Sequence, residues 1–392
     1  MIEQAVILAA GEGERLRPFT THKPKGMICV ANKPVLRHVV DALAAGGVRH
    51  IVMVVGYGKE HILDFFGSGE PFGVQIEYVT QSQQLGTAHA LKQTENKVGS
   101  EFLVVSGDNV IDFAAIADFI QTPPDAILLH EGEGTAMGGF AVVKGSQLLR
   151  IVEKPPQPVS NLISTGIYSF RRAVFDYLQF ELDLPSAIQR MLADGRKVSA
   201  VRTAGTWLDI IYPWDILKAN YALLKSASPN HGGTIEKGVT IKDPVSIGQG
   251  TVIRANSYIV GPAVIGEGCE IGPNVCIMPG TSIGDRVTIA PFSQIENCIL
   301  GEDLTIGHGA YLADCVIDRG GKIGAHFTAR SGDAEVKVGD AYHQTVIGVM
   351  MGESCEVGDS VVVSPGVVVG NAAKVKSLKL LEGNIPDGAL VV

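Results

Sequence analysis

No apolar run in this chain reaches the ~18 residues that a membrane-spanning helix needs, which argues against an integral membrane protein of the helical kind. A basic excess is also missing. The 32 Lys and Arg are outnumbered by 41 Asp and Glu, and a net charge of −9 has the wrong sign for a dedicated nucleic-acid binder. The six cysteines (Cys29, Cys269, Cys276, Cys298, Cys315, Cys355) form no CxxC pair and no Cys/His ligand spacing, so they read as reduced thiols of a cytoplasmic protein. The N-terminus, MIEQAVILAAGEGERLRP, lacks a basic leader region and a small-residue cleavage site. Its apolar run therefore reads as a first strand and not as a signal peptide. What is present is length and apolar content: 392 residues, 46% of them apolar, are too many for one ordinary core and enough for two.

The two parts follow different periods. Over residues 1–225 apolar runs alternate with helical patterns. AVILAA (5–10), HIVMVVG (50–56), VQIEYV (74–79) and FLVVSGD (102–108) read as buried strands. Pro34 opens a helix that Gly46-Gly47 would end, and Pro213 opens another through WDILKANYALL. Such β-α-β alternation implies an α/β domain with a mainly parallel sheet, whose ligand crevice lies beyond the carboxyl ends of the strands. Residues 226–234, polar with Pro and Gly, suit a linker. Over 235–392 the period becomes six. Isoleucines recur at strict six-residue steps from Ile235 to Ile295, and the register slips by one to Leu300, Ile306 and Leu312 and again to Ile317 and Ile323. It breaks over roughly 327–347 and resumes from Met351 to Leu381. Neither a helix nor a flat strand has this period, whereas a β-solenoid with one short strand per repeat does. It resembles the left-handed β-helix of hexapeptide-repeat acyltransferases, and that resemblance implies a homo-oligomer, a trimer or dimer of trimers.

The strongest local signal is LAAGEGERLRPFTTHKPKGM (8–27), a strand running into a glycine-containing loop with Arg15, Arg17, Lys23 and Lys25 after it. Gly11 and Gly13 allow backbone N–H groups to approach a phosphate, and the cations can neutralise a triphosphate. Leu16 stands where a dinucleotide fingerprint has its third glycine, and no P-loop GK[ST] is present. The whole string is similar to the L-A-A-G-x-G-[ST]-R-[LM]-x-P-x-T-x-x-x-P-K motif of the sugar-nucleotide pyrophosphorylases, with Glu14 in place of Ser or Thr. The resemblance places Leu8, Ala10, Gly11 and Gly13 against the nucleotide and makes Arg15 and Lys25 catalytic.

Further stations of that family follow in order. QSQQLGTAHAL (81–91) resembles the base-reading loop, with Gln81 able to match the imide edge of uracil or thymine and Gly86-Thr87 lying against the nucleotide. UTP or dTTP is the expected donor. SGDNVI (106–111) puts Asp108 just after a buried strand, where a carboxylate suits Mg²⁺, and GTWLDIIYPWDIL (205–217) offers Asp209 as its partner. An isolated Asp at a strand end is also an ordinary helix cap. For the sugar-1-phosphate the resemblance implies Gly139, Glu153 and Lys154 of IVEKPP, and Thr165 in STGIYSF, where Ser164 replaces the family's Asn. The order of domains resembles the bifunctional enzymes that acetylate glucosamine-1-phosphate and then uridylylate it. His308 and Tyr311 match their H-x-x-Y pair, and Lys337 their later lysine, while Lys322 and Arg330 replace asparagines. Acetyl-CoA is then a candidate co-substrate, with His308 as the base. Two other readings remain: a solenoid that only trimerises, and a regulatory assembly subunit of the same architecture. Retention of Arg15, Lys25, Asp108 and Asp209 together speaks against the second.

Overall fold

A computed structural model describes residues 2–132, 139–153, 155–203 and 205–392. The chain divides into two compact units. One comprises residues up to Glu12, His22–Met27 and Pro34–Asp209; the other comprises Gly13–Thr21, Ile28–Lys33 and Ile210–Val392.

The first unit is built on a nine-stranded sheet. Its strands are β1 (Gln4–Ala9), β2 (His50–Val55), β3 (Gln75–Thr80), β4 (Glu101–Ser106), β6 (Ala126–Glu131), β7 (Gly139–Lys144), β8 (Gln147–Glu153), β9 (Leu162–Arg171) and β10 (Ser199–Arg202), in the order β3-β2-β1-β4-β9-β6-β10-β8-β7. The short β5 (Asn109–Ile111) lies outside it. The first four strands in this order are parallel, and β9 enters antiparallel to both β4 and β6. Alternate residues of the central strands feed two cores. Ala5, Ile7, Leu103 and Val105 face one, while Val6, Phe102 and Val104 face the other, as a sheet covered on both faces requires. Helix α1 (Val35–Ala45) begins after Pro34 and buries Leu36, Val39, Val40 and Leu43, the helical spacing of a single apolar stripe.

The second unit contains helix α5 (Pro213–Leu224). It starts where the sequence places Pro213, with the Asp215 carboxylate accepting from the Ile211 and Tyr212 amides. The rest is a three-faced parallel β-helix of eight-, nine- and eight-stranded sheets. The six-residue period becomes vertical ladders: Ile253 pairs with Ile271, then Ile289, Ile306, Ile323, Val357 and Val375. These ladder residues are buried, and each such aliphatic contributes about 1.5–3 kcal/mol. The two register slips fall at one corner, where Asn297 and Asp314 take left-handed backbone and each coil is one residue short. The break in the period is a hairpin at that same corner, β12 (Gly332–Val338) with β13 (Ala341–Ile347).

Candidate functional site

β1 and β4 run side by side and parallel, and the chain leaves both at their carboxyl ends. The Gly107 amide donates to the Leu8 carbonyl (2.9 Å), which ties the start of the Asp108 loop to β1. A side chain at Gly107 would press on Ala9 and Leu8, and one at Gly26 would meet the Gly107 carbonyl at 2.9 Å. Glycine at both positions lets the short turn Lys25–Met27 lie close against the strand ends. Gly11 differs: nothing stands within 4 Å of a would-be Cβ, so its missing side chain opens space instead of relieving a packing clash. Ala10 is buried, and its carbonyl accepts from the Tyr57 amide.

Asp209 comes from far along the chain. It ends the short strand β11 (Trp207–Asp209), which pairs antiparallel with β5 and sets Asp209 opposite Asn109, the neighbour of Asp108. Both carboxylates then face one ammonium, with Lys25 Nζ 2.7 Å from Asp108 and 3.6 Å from Asp209. The Ser106 hydroxyl donates to the other oxygen of Asp108 at 2.8 Å. Burial alone would pull the Lys25 ammonium down, but the two carboxylates more than offset it and hold the group above its ordinary value. Burial likewise pushes Asp108 up, while Lys25 and Ser106 outweigh this and hold it below the usual carboxylate range. A pair of hard oxygen donors already arranged around a positive charge fits a magnesium ion. Among the described residues no cluster of three or more His, Cys, Asp or Glu accompanies them, so such an ion would complete its shell with water and substrate phosphate.

The other sequence-derived residues of the first unit fall in three places. Gln81 is 3% exposed, and its amide nitrogen lies 3.2 Å from the Gly86 carbonyl and 2.9 Å from His89 Nδ1. Gly86 has a φ of 135°, and a Cβ there would strike the Leu182 carbonyl. The Thr87 hydroxyl oxygen accepts from the Leu184 amide, so this loop is stitched to the start of α4 (Leu184–Ala193). Gly139 and Glu153 are direct cross-strand partners on β7 and β8, and the Glu153 carboxylate folds over the bare Gly139 backbone. Lys154 lies outside the described residues. Thr165 is buried, with its hydroxyl donating to the Leu128 carbonyl and its own carbonyl accepting from Asn109 and Trp207. It therefore joins β9 to the strand that follows Asp108 and to the strand that ends in Asp209.

Gly13 and Arg15 belong to the second unit, where Gly13 adopts left-handed backbone (φ 75°) ahead of the short turn Glu14–Leu16 and Arg15 is exposed. In the β-helix, His308 stands exposed at a corner and Tyr311 half-buried in the next strand. The ring packed on His308 is that of His326, one coil further, edge-to-face at 4.7 Å. His326 escaped the sequence reading. Stacking the IGHGA and IGAHF segments coil on coil would have shown it, because the His326 amide donates to the His308 carbonyl. Arg330 is exposed after the following strand, and Lys337 sits on the hairpin near the Tyr342 ring. Ser106 was also missed; its only sequence signal is its place two residues before Asp108.

Residues 4–226 match the nucleotidyl transferase family, and residues 262–297 match the six-repeat bacterial transferase hexapeptide. The chain belongs to the nucleotidyl transferase family. Its C-terminal part is the left-handed β-helix that hexapeptide repeats form. The chain is 32% identical over 406 residues to the "Bifunctional protein GlmU" of Methanococcus maripaludis, covering 99% of this chain and 96% of that protein. It is 33% identical to the protein of the same name from Methanocaldococcus jannaschii, over 99% and 97% of the two chains. Among solved structures, a UDP-glucose pyrophosphorylase from Acinetobacter baumanii superposes with a TM-score of 0.50 at 25% identity, over 56% of this chain and 93% of that one. No described helix is long and apolar enough to cross a membrane. The chain is an enzyme of nucleotidyl transfer.

Proposed function

We propose that the chain transfers a uridylyl or thymidylyl group from UTP or dTTP to a hexose- or N-acetylhexosamine-1-phosphate, releasing pyrophosphate, in the cytoplasm. The observation that carries this reading is the convergence of Asp108 and Asp209 on Lys25 at the carboxyl ends of β1 and β4. In the reaction an oxygen of the sugar-1-phosphate attacks the α-phosphorus in line, and the bond to the bridging oxygen of the departing pyrophosphate breaks. No covalent nucleophile on the protein is needed; the work is positioning and spreading charge. Asp108 and Asp209 would hold a magnesium ion, which supplies neutralising charge to the phosphates. Arg15 and Lys25 balance the charge that builds on the leaving group, and removing one such cation costs about 3 kcal/mol in the transition state. The amide nitrogen of Gln81 is directed inward, which leaves its amide oxygen to meet the imide N–H of a pyrimidine. Glu153, folded across Gly139, accepts from sugar hydroxyls, and Lys154 holds the attacking phosphate.

A panel of nucleoside triphosphates against sugar-1-phosphates, read by pyrophosphate release, tests this. UTP or dTTP should turn over and GTP should not. Release with GTP alone would overturn the base assignment.

A second activity is favoured by His308 and Tyr311 at the family spacing and by the near full-length likeness to relatives named bifunctional. In it the β-helix acetylates glucosamine-1-phosphate with acetyl-CoA. His308 takes a proton from the amine as it attacks the thioester carbonyl, and coenzyme A thiol leaves. Oligomerisation through the β-helix, as a trimer or a dimer of trimers, belongs to the same reading.

A further inference from the structure

The hairpin β12–β13 is longer than anything the coil needs at that corner, and the second unit meets it in three places. At its base, Ala334 and Val336 are buried, and Gly366 of a following coil packs against both. Midway along β13, the His343 ring lies 4.5 Å from that of Tyr212 and 5.8 Å from that of Trp214, which stack on each other at 4.8 Å. Tyr212 follows Asp209 by three residues and opens α5. At the tip, Val338–Ala341 line a cavity of about 440 Å³ whose opposite lining is Glu14 and Arg15. All of these residues belong to the second unit. One excursion of the coil thus packs on the stretch that follows Asp209 and shares a cavity with the stretch that follows Glu12, both covalently continuous with the candidate site.

We propose that the hairpin is a positioning strut for nucleotidyl transfer: His343 clamps the Tyr212–Trp214 pair that follows Asp209, and the 338–341 turn sets where Arg15 can stand. Leu16, Phe19 and Thr20 anchor the Gly13–Thr21 loop, whereas the exposed Glu14 and Arg15 side chains keep many rotamers of similar energy. A strut selects among them before substrate arrives, so less ordering is left for the bound state. His343 touches no substrate; it acts through the placement of Arg15. The proposal rests on the role given to Arg15 above.

The test is a double-mutant cycle in the full-length protein, read by pyrophosphate release alongside thermal unfolding. His343→Ala should lower kcat/KM about tenfold, and His343→Phe, which keeps a ring, should recover to within about twofold of wild type. In an Arg15→Ala background His343→Ala should cost less than about twofold further, because the group it positions is gone. Asp340→Ala, an exposed substitution at the turn that leaves the fold in place, should show the same non-additivity. Full additivity, or wild-type turnover of His343→Ala while Arg15→Ala is impaired, overturns the strut and leaves the catalytic reading standing. Wild-type turnover of Arg15→Ala removes Arg15 from the mechanism and the strut with it.

Discussion

Lys25 is the cation that two acidic side chains of the first unit share, and the proposed mechanism makes it catalytic. Lys25→Ala should lower kcat/KM by about 10²-fold with the fold intact, and wild-type turnover in that variant would remove it from the mechanism. The same contacts fix a pH signature. Asp108 is held below its ordinary 3.8, so its contribution to stability is complete above that value and is lost as the pH falls through the folded value. Lys25 is held above its ordinary 10.5, so its contribution is complete below that value and is lost as the pH rises through the folded one. The gap in urea midpoint between wild type and Asp108→Asn should therefore be flat near neutrality and close at both extremes. A gap unchanged in strong acid would refute the pairing. Gly139 offers a second test. A methyl there meets the far end of the flexible Glu153 side chain, so Gly139→Ala should fold, displace that carboxylate and raise KM for the sugar phosphate about tenfold, with KM for the nucleotide unmoved. The motif strings supplied the candidate residues. They could not reveal that Lys25 lies between Asp108 and Asp209, since that depends on β5 pairing with β11 across most of the first unit.

At the scale of elements, the β-helix was the most legible part of the chain, because every sixth residue is forced inward and a register error would expose the ladder. Burial along the ladder is not uniform, and stability should follow it. Ile289 is fully buried in the middle of its ladder, and Ile289→Ala should cost about 2–5 kcal/mol in urea unfolding. Ile235, on the first coil, is 37% exposed, and the same change there should cost clearly less. Equal costs would mean that the end coil is as well covered as the middle. The hairpin was visible only as a lapse in the period, since β12 and β13 pair with each other and owe nothing to the coil repeat. The mixed half of the first sheet was also hidden. The antiparallel insertion of β9 between β4 and β6 follows from chain topology, which apolar runs do not encode.

At the scale of the whole molecule, the two proposed chemistries use separate residues and should be separable by mutation. His308→Ala should abolish thiol release from acetyl-CoA with glucosamine-1-phosphate and leave pyrophosphate release unchanged. Absence of thiol release from the wild type with any amino-sugar phosphate would reduce the β-helix to an oligomerising stem. One corner of the coil also bears on how such a chain changes over time. It gives up a residue at Asn297, gives up another at Asp314, and then takes in the whole of β12–β13, yet the strands above and below stay in register. Insertions and deletions that would shift every side chain of a sheet strand are absorbed here by the bend alone. This corner is where a lineage can lengthen or trim the solenoid without unpicking it, and where an engineer could graft a reporter peptide and still recover a folded coil.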